Sequence, residues 1–315
     1  MFAPIALFCY KRLDTLKKTV EALQKNELAS DSILYIFSDG PKEGSEEKVQ
    51  QVRDYIKTIN GFKEIKIEES LTNKGLANSI IYGVTKIVNE YGRIIVIEDD
   101  LVTNPYFLKY MNEALDMYEK EEGVGCIHGY NYPVEKLPKE TTFFIKGTEC
   151  WGWATWKRAW KLFNPNAKEL LEEIKKRKLS KDFDKNNSYP YTEMLELQAE
   201  GKVDSWAIRW YASAFLNNKL CLYPSKSLVK NIGFGVDSTH CAETDVYDTD
   251  LDEKPTVLTK LPIIENKQAL KEKIKYFHKI SGEKGNFILK KYRCGYKRTI
   301  VILGFIKFSY SRRKK

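Results

Sequence analysis

Apolar runs alternate with amphipathic stretches through the first hundred residues. Pro4-Ile5-Ala6-Leu7-Phe8-Cys9-Tyr10 carries no charge and reads as a buried strand. Leu13, Leu16, Val20 and Leu23 then recur at helical spacing with Asp14 near the start, which predicts a helix over 13–24. Ile33-Leu34-Tyr35-Ile36-Phe37 is a second buried strand, halted by Ser38-Asp39-Gly40-Pro41. Residues 46–60 form a polar helix whose inner face is Val49, Val52, Tyr55, Ile56 and Ile59. Ile65-Lys66-Ile67-Glu68 alternates as a short strand, 75–90 is helical, and Ile94-Ile95-Val96-Ile97 reads as a strand buried on both faces. Strands alternating with helices predict a parallel sheet wound by right-handed crossovers.

The second half is less regular. Helices are expected over 105–120, 168–178 and 206–217, and strands at Cys126-Ile127-His128-Gly129, at Thr142-Phe143-Phe144-Ile145 and over 220–224. Between them lies the aromatic stretch Glu149-Cys150-Trp151-Gly152-Trp153-Ala154-Thr155-Trp156, whose tryptophans are spaced for one half-buried surface. Beyond Leu261 the chain becomes rich in lysine. The expectation is an α/β fold: a mixed, mostly parallel sheet flanked by helices over 1–260, followed by a basic helical tail over 261–315.

Composition narrows the class. A chain of 315 residues with 43% hydrophobic and 30% charged residues is globular rather than disordered. Six dispersed cysteines with no C-x-x-C pair argue for a reducing compartment and against a disulfide framework or structural zinc. Met1-Phe2-Ala3-Pro4-Ile5 lacks the pattern of a secretory signal, and no run is long enough to span a bilayer. The net charge of +9 is concentrated: residues 284–315 hold eleven Lys/Arg and no Asp/Glu, which leaves −2 on the rest (+9 less 11). A near-neutral body with a basic tail is not the footprint of a nucleic-acid binder. The tail's apolar 300–306 segment, set among cations, suits an anionic membrane surface; a packing element with a solvated basic end is the competing reading.

The chemistry centres on Glu98-Asp99-Asp100, directly after the aliphatic strand 94–97. Open α/β sheets bind ligands at the carboxyl ends of their strands, and three adjacent acids there repel one another. A divalent cation relieves that repulsion; a solvated acidic turn is the alternative. The chain has neither G-x-G-x-x-G nor G-x-x-x-x-G-K-[ST], which disfavours a dinucleotide oxidoreductase or a P-loop nucleotidase. A bound nucleotide's phosphates would then need a cation on the carboxylates as counter-charge.

Several segments together resemble a GT-A glycosyltransferase, closest to N-acetylglucosaminyltransferase I and its bacterial relatives. They are Pro4 to Arg12, Ser38-Asp39-Gly40, Asn73-Lys74-Gly75-Leu76-Ala77-Asn78-Ser79, Ile97-Glu98-Asp99-Asp100-Leu101, Gly152-Trp153-Ala154-Thr155-Trp156, Asp204-Ser205-Trp206, and Asn231-Ile232-Gly233-Phe234-Gly235 with His240. Glu98-Asp99-Asp100 stands as a variant of that family's D-x-D motif. The resemblance implies a nucleotide-sugar-binding half over 1–103 and an acceptor-binding half over 104–260. It implies that Asp100 binds Mn2+ or Mg2+, that Asp99 faces the ribose or donor sugar, and that Glu98 positions them. Cys9, Arg12 and Asp39 would meet the uracil and ribose, and Asn73, Gly75, Asn78 and Ser79 the loop closing over the base. The implied reaction is metal-dependent, inverting transfer of GlcNAc, GalNAc, Gal or Glc from a UDP-sugar to a glycan or lipid-linked hydroxyl. With the basic tail, it would run on the cytoplasmic face of the membrane.

An inverting transfer needs a base for the acceptor hydroxyl. Asp204 is the candidate, in the segment where the family has Asp-Asp-Trp, with helix capping as its competing role and Glu149 as the reserve. His240 is a candidate second metal ligand or diphosphate contact, against a purely structural role. Trp151 and Trp153 are candidates to stack on acceptor sugar, against a place in the core. The rival readings are a sugar nucleotidyltransferase, which builds a similar acidic strand end, and a non-catalytic carbohydrate-binding protein.

Overall fold

The computed structural model describes residues 2–136, 138–234 and 246–281, and the backbone of strands within 290–311. In chain order the first half contains β1 (Ile5–Cys9), α1 (Leu13–Gln24), β2 (Ile33–Ser38), α2 (Glu46–Ile56), β3 (Glu64–Glu69), α3 (Leu76–Tyr91), β4 (Arg93–Glu98), β5 (Leu101–Thr103) and α4 (Phe107–Met117). The second half continues with β6 (Val124–His128), β7 (Thr142–Lys146), β8 (Trp153–Trp156), α5 (Lys157–Trp160), α6 (Ala167–Lys176), α7 (Ser180–Phe183), α8 (Tyr191–Ala199), α9 (Trp206–Leu216), β9 (Leu220–Pro224) and β10 (Val229–Asn231). It closes with α10 (Lys267–Ser281), β11 (Lys290–Cys294), β12 (Lys297–Ile302) and β13 (Ile306–Ser311).

One eight-stranded sheet runs β3-β2-β1-β4-β8-β6-β9-β7. Its first four strands are mutually parallel, as the strand–helix alternation requires. Ile5, Leu7, Leu34, Ile36, Ile94, Ile95 and Ile97 are buried, which is why these segments read as unbroken apolar runs. From β1 the chain moves outward to β2 and β3, then returns to place β4 on the other side of β1. The strand order therefore reverses between β1 and β4, where doubly wound sheets open a crevice at the strands' carboxyl ends. The register keeps those ends level: Phe8 faces Glu98, Cys9 faces Ser38, and Ser38 faces Glu69.

The aromatic stretch turns out differently from its sequence reading. Trp153 to Trp156 is a strand inserted antiparallel between β4 and β6, in the middle of the sheet. Trp153 is 0% exposed and stacks on Trp206 at 5.3 Å, with Trp160 and Trp210 beside it. Trp156 is also buried, and its Nε1 donates to Leu115 O at 3.2 Å. The pair therefore occupies the core rather than a half-buried sugar-binding surface, and Trp153 has no face to offer an acceptor.

The basic tail is part helix and part sheet. Residues 261–281 are tied to the body: Leu261 N–H donates to Tyr118 Oη, Asn266 N–H to Phe144 O, and Lys146 N–H to Glu265 Oε1. The last two bonds cover the outer edge of β7. Past α10 the expected helix gives way to the antiparallel sheet β11-β12-β13. Thr299-Ile300-Val301-Ile302 is β-branched throughout, which favours a strand over a helix.

Candidate active site

Level strand ends bring the loops after β1 and β4 together. Asp99 accepts from Tyr10 N–H at 3.3 Å and pairs with Arg12 Nη2; the same nitrogen reaches Asp100 Oδ2 at 2.8 Å. Asp99 is buried, and Glu98 and Asp100 are partly so. Burial and the two neighbouring acids push the Glu98 carboxyl up to about 8. Burial pushes Asp99 up to about 6 even though Arg12 opposes it. The nearby acids hold the Arg12 guanidinium firmly charged. Three carboxylates thus face one clamping cation. Hard oxygen donors with unbalanced negative charge fit a divalent cation such as Mg2+ or Mn2+; Asp100 is the residue that would hold it, with Glu98 and Asp99 beside it.

The far end of the chain completes this edge. β5 pairs antiparallel with β10, and Ile232 N–H donates to Asp100 O at 2.8 Å. Gly233 then passes so close that a Cβ there would overlap the Asp100 carboxylate. Phe234 packs edge-on against Trp151 at 5.6 Å, and Trp151 against Tyr130 and Tyr247. Trp151 is thus near the acids but only 6% exposed. His240 lies outside the described residues.

The β2 end is organised by Asp39. Its carboxylate accepts from Gly40, Lys74 and Gly75 N–H at 2.9, 2.8 and 2.9 Å, and from Asn73 Nδ2 at 3.0 Å. Both oxygens are taken by the chain itself, so Asp39 acts here as the anchor of the loop entering α3. Gly75 has φ +78, a conformation that glycine adopts without strain. Ser79, Lys74, Tyr82, Phe37, Glu68 and Ser70 line a cleft beside this anchor. Asn78 is exposed and bonds back to Lys74 O, and Cys9 is buried with its Sγ toward Phe37 O. Arg53, which the sequence reading passed over, donates to Ser70 O at 2.7 Å and to Asp39 O at 3.4 Å. Its place beside the inner-face residues Val49, Val52 and Ile56 was the available signal.

The two candidate bases differ sharply. Asp204 is 56% exposed at its side chain and pairs with Arg209 at 2.9 Å. The helix cap is its neighbour Ser205, whose Oγ accepts from Ile208 N–H, so capping does not occupy Asp204. Glu149 is buried, paired with Lys273 and hydrogen-bonded by Tyr132 Oη at 3.0 Å. Both its oxygens are satisfied internally, which fits a structural anchor and not a free base. Lys273 was not singled out from sequence. Its signal was a lysine in the helical stripe with buried Ala269, Tyr276 and Phe277.

Cys126, His128 and Cys221 form a second group of ligand types, all buried and within 4.8 Å of one another. His128 Nε2 accepts from Glu149 N–H at 3.0 Å, and burial with Lys273 nearby keeps the ring neutral. The proton of the neutral ring therefore sits on Nδ1, leaving the imidazole no free nitrogen for a metal.

Comparison with known proteins bears on this geometry. The family model described as glycosyl transferase family 2 matches residues 5–177. The chain belongs to that family. The matched span contains the Arg12 clamp, the Asp39 anchor and all three acids, so this site is the active-site candidate of a glycosyltransferase. Among solved structures, the chain is similar to the mannosyltransferase PcManGT from Pyrobaculum calidifontis in complex with GDP-Man and Mn2+. That match has 10% identity and a TM-score of 0.32, covering 42% of this chain and 37% of the other. S. aureus TarS 1–349 gives 13% identity and a TM-score of 0.40, covering 73% and 60%. A UDP-glucose pyrophosphorylase complexed with UDP-glucose gives 13% and 0.36, covering 71% and 90%. Likenesses this distant say nothing about ligand or reaction. No curated protein matches the chain.

Proposed function

We propose that this glycosyltransferase moves a sugar from a UDP-sugar, with GlcNAc, GalNAc, Gal or Glc as the sugar, to a hydroxyl of a glycan or lipid-linked acceptor. The transfer inverts the anomeric centre and needs Mn2+ or Mg2+. The observation that carries this reading is the acidic cluster under excess negative charge at the β1–β4 crevice. A cation bound there would neutralise the departing diphosphate. The Asp39-anchored loop and the cleft beside Ser79 and Tyr82 hold the nucleoside. Asp99, fixed by Tyr10 and Arg12, meets the ribose or donor sugar. Asp204 takes the proton of the acceptor hydroxyl as its oxygen attacks the anomeric carbon and the sugar–diphosphate bond breaks. Trp151 shapes the acceptor side from within. The basic tail supports docking on anionic lipid at the cytoplasmic membrane face, where a lipid-linked acceptor would be presented.

The test is release of nucleoside diphosphate from a panel of UDP-sugars with and without Mn2+. Metal-dependent release with one donor is expected, abolished in Asp100→Ala and lowered about 10²- to 10⁴-fold in kcat by Asp204→Asn. Full activity in Asp100→Ala overturns the reading. Release of pyrophosphate from a nucleoside triphosphate and a sugar phosphate would make the chain a nucleotidyltransferase.

A further inference from the structure

We infer that Arg12 occupies the cation seat of the acidic cluster while the site is empty of nucleotide, so that divalent metal and nucleoside diphosphate bind cooperatively. This deepens the reading of Glu98-Asp99-Asp100 as a metal seat and rests on it.

A single nitrogen, Arg12 Nη2, touches both Asp99 Oδ1 and Asp100 Oδ2. A cationic group seated on Asp100 takes the place that a metal ion held by Asp100 would need. Metal and guanidinium cannot share that position, because like charges a few ångströms apart inside a crevice repel strongly. One of them must leave.

The acids are the fixed partners. Asp99 is held by Tyr10 N–H, the Asp100 carbonyl by Ile232 N–H, and the β5 strand that follows by β10. Gly233 packs closely against the Asp100 carboxylate. Arg12 is the movable one: it stands at the start of α1 on a long side chain that is 24% exposed. Guanidinium binds phosphate oxygens in a bidentate fork, so an arriving diphosphate offers Arg12 a replacement for Asp100. The diphosphate therefore lowers the cost of admitting the metal, and by linkage the metal tightens the diphosphate by the same factor.

The experiment measures Mn2+ binding to the full chain from the paramagnetic resonance signal of free Mn2+, alone and with UDP or GDP. In wild type, one nucleotide should tighten Mn2+ about 10- to 100-fold. Arg12→Met should bind Mn2+ alone more tightly than wild type, and the gain from nucleotide should fall toward unity. Arg12→Lys, which keeps a charge but loses the fork, should lie between them. Asp100→Ala should lose the Mn2+ site in every arm. Melting temperatures of the variants check that each is folded. If Arg12→Met binds Mn2+ alone no better than wild type, Arg12 is a phosphate contact only and the inference falls while the metal seat stands. If wild type binds no Mn2+ with either nucleotide, the metal seat itself is refuted.

Discussion

Replacing Lys273 by methionine tests whether α10 is part of the catalytic fold. Lys273 is 3% exposed and lies over the rings of Tyr132, Tyr223 and Phe277 at 4.5, 5.0 and 5.6 Å. Its ammonium is paired with Glu149, and Glu149 is held by Tyr132 and backbone-bonded to His128. Methionine keeps much of the stem's packing but leaves the Glu149 carboxylate buried without its cation. Removing one partner of a buried pair costs about 3–5 kcal/mol. At about 2 °C per kcal/mol for a chain of this size, the melting temperature should fall by roughly 6–10 °C. Urea unfolding followed by tryptophan fluorescence measures the free energy directly. Adding Glu149→Gln removes the stranded charge, and the double variant should recover at least half of the loss. A single-variant cost below about 1 kcal/mol, or a double variant as unstable as the two singles combined, refutes the role given to this pair.

Three further outcomes follow from the site. Gly233→Ala forces a methyl group against the Asp100 carboxylate, and should lower kcat about 10²-fold with little change in melting temperature; unchanged kcat would show that this close approach does not matter. Glu98 has a native pKa of about 8, far above its unfolded value, so between those values the native state holds a proton the unfolded chain has released. Its contribution to stability therefore falls as pH rises from about 4.3 to 8, and in EDTA the melting-temperature advantage of Glu98→Gln should grow from pH 5 to 8; a constant difference contradicts the shift. Asp39→Asn sets an amide donor against backbone N–H donors, costing about 1–3 kcal/mol of loop order. Donor KM should rise more than kcat falls, and an unchanged KM would remove Asp39 from the nucleotide loop.

The first half of the fold was legible because β1, β2 and β4 are buried on both faces by crossover helices. Such strands print as aliphatic runs, and the helices between them print as 3.6-residue stripes; α1 falls on the residues its spacing predicts. The second half obeys no single period. Trp153-Ala154-Thr155-Trp156 is a strand buried on both faces, but it is short and aromatic, and its neighbours β4 and β6 are distant in sequence. The pairing of β5 with β10 spans more than a hundred residues and leaves only three-residue strands to detect. The acids at 98–100 were legible from their charge together with the aliphatic strand that they end. Their clamp was only half legible: Arg12 could be named as a ligand contact, whereas its place between Asp99 and Asp100 depends on the Phe8–Glu98 register.

Charge balance separates scaffold from ligand seat more cleanly than residue type does. Asp39 and Glu149 are acids near the crevice, and each has both oxygens matched by donors of the chain itself. A ligand reaching either oxygen would have to displace a bond that holds a loop in place. Glu98, Asp99 and Asp100 carry up to three negative charges against one guanidinium, and burial raises the cost of that excess. Packing has not removed this cost, as it has around Glu149. The cluster therefore gains most from cations that come from outside, and a diphosphate that arrives with one can release Arg12 to its own oxygens. The same imbalance that costs the fold stability supplies the drive to bind.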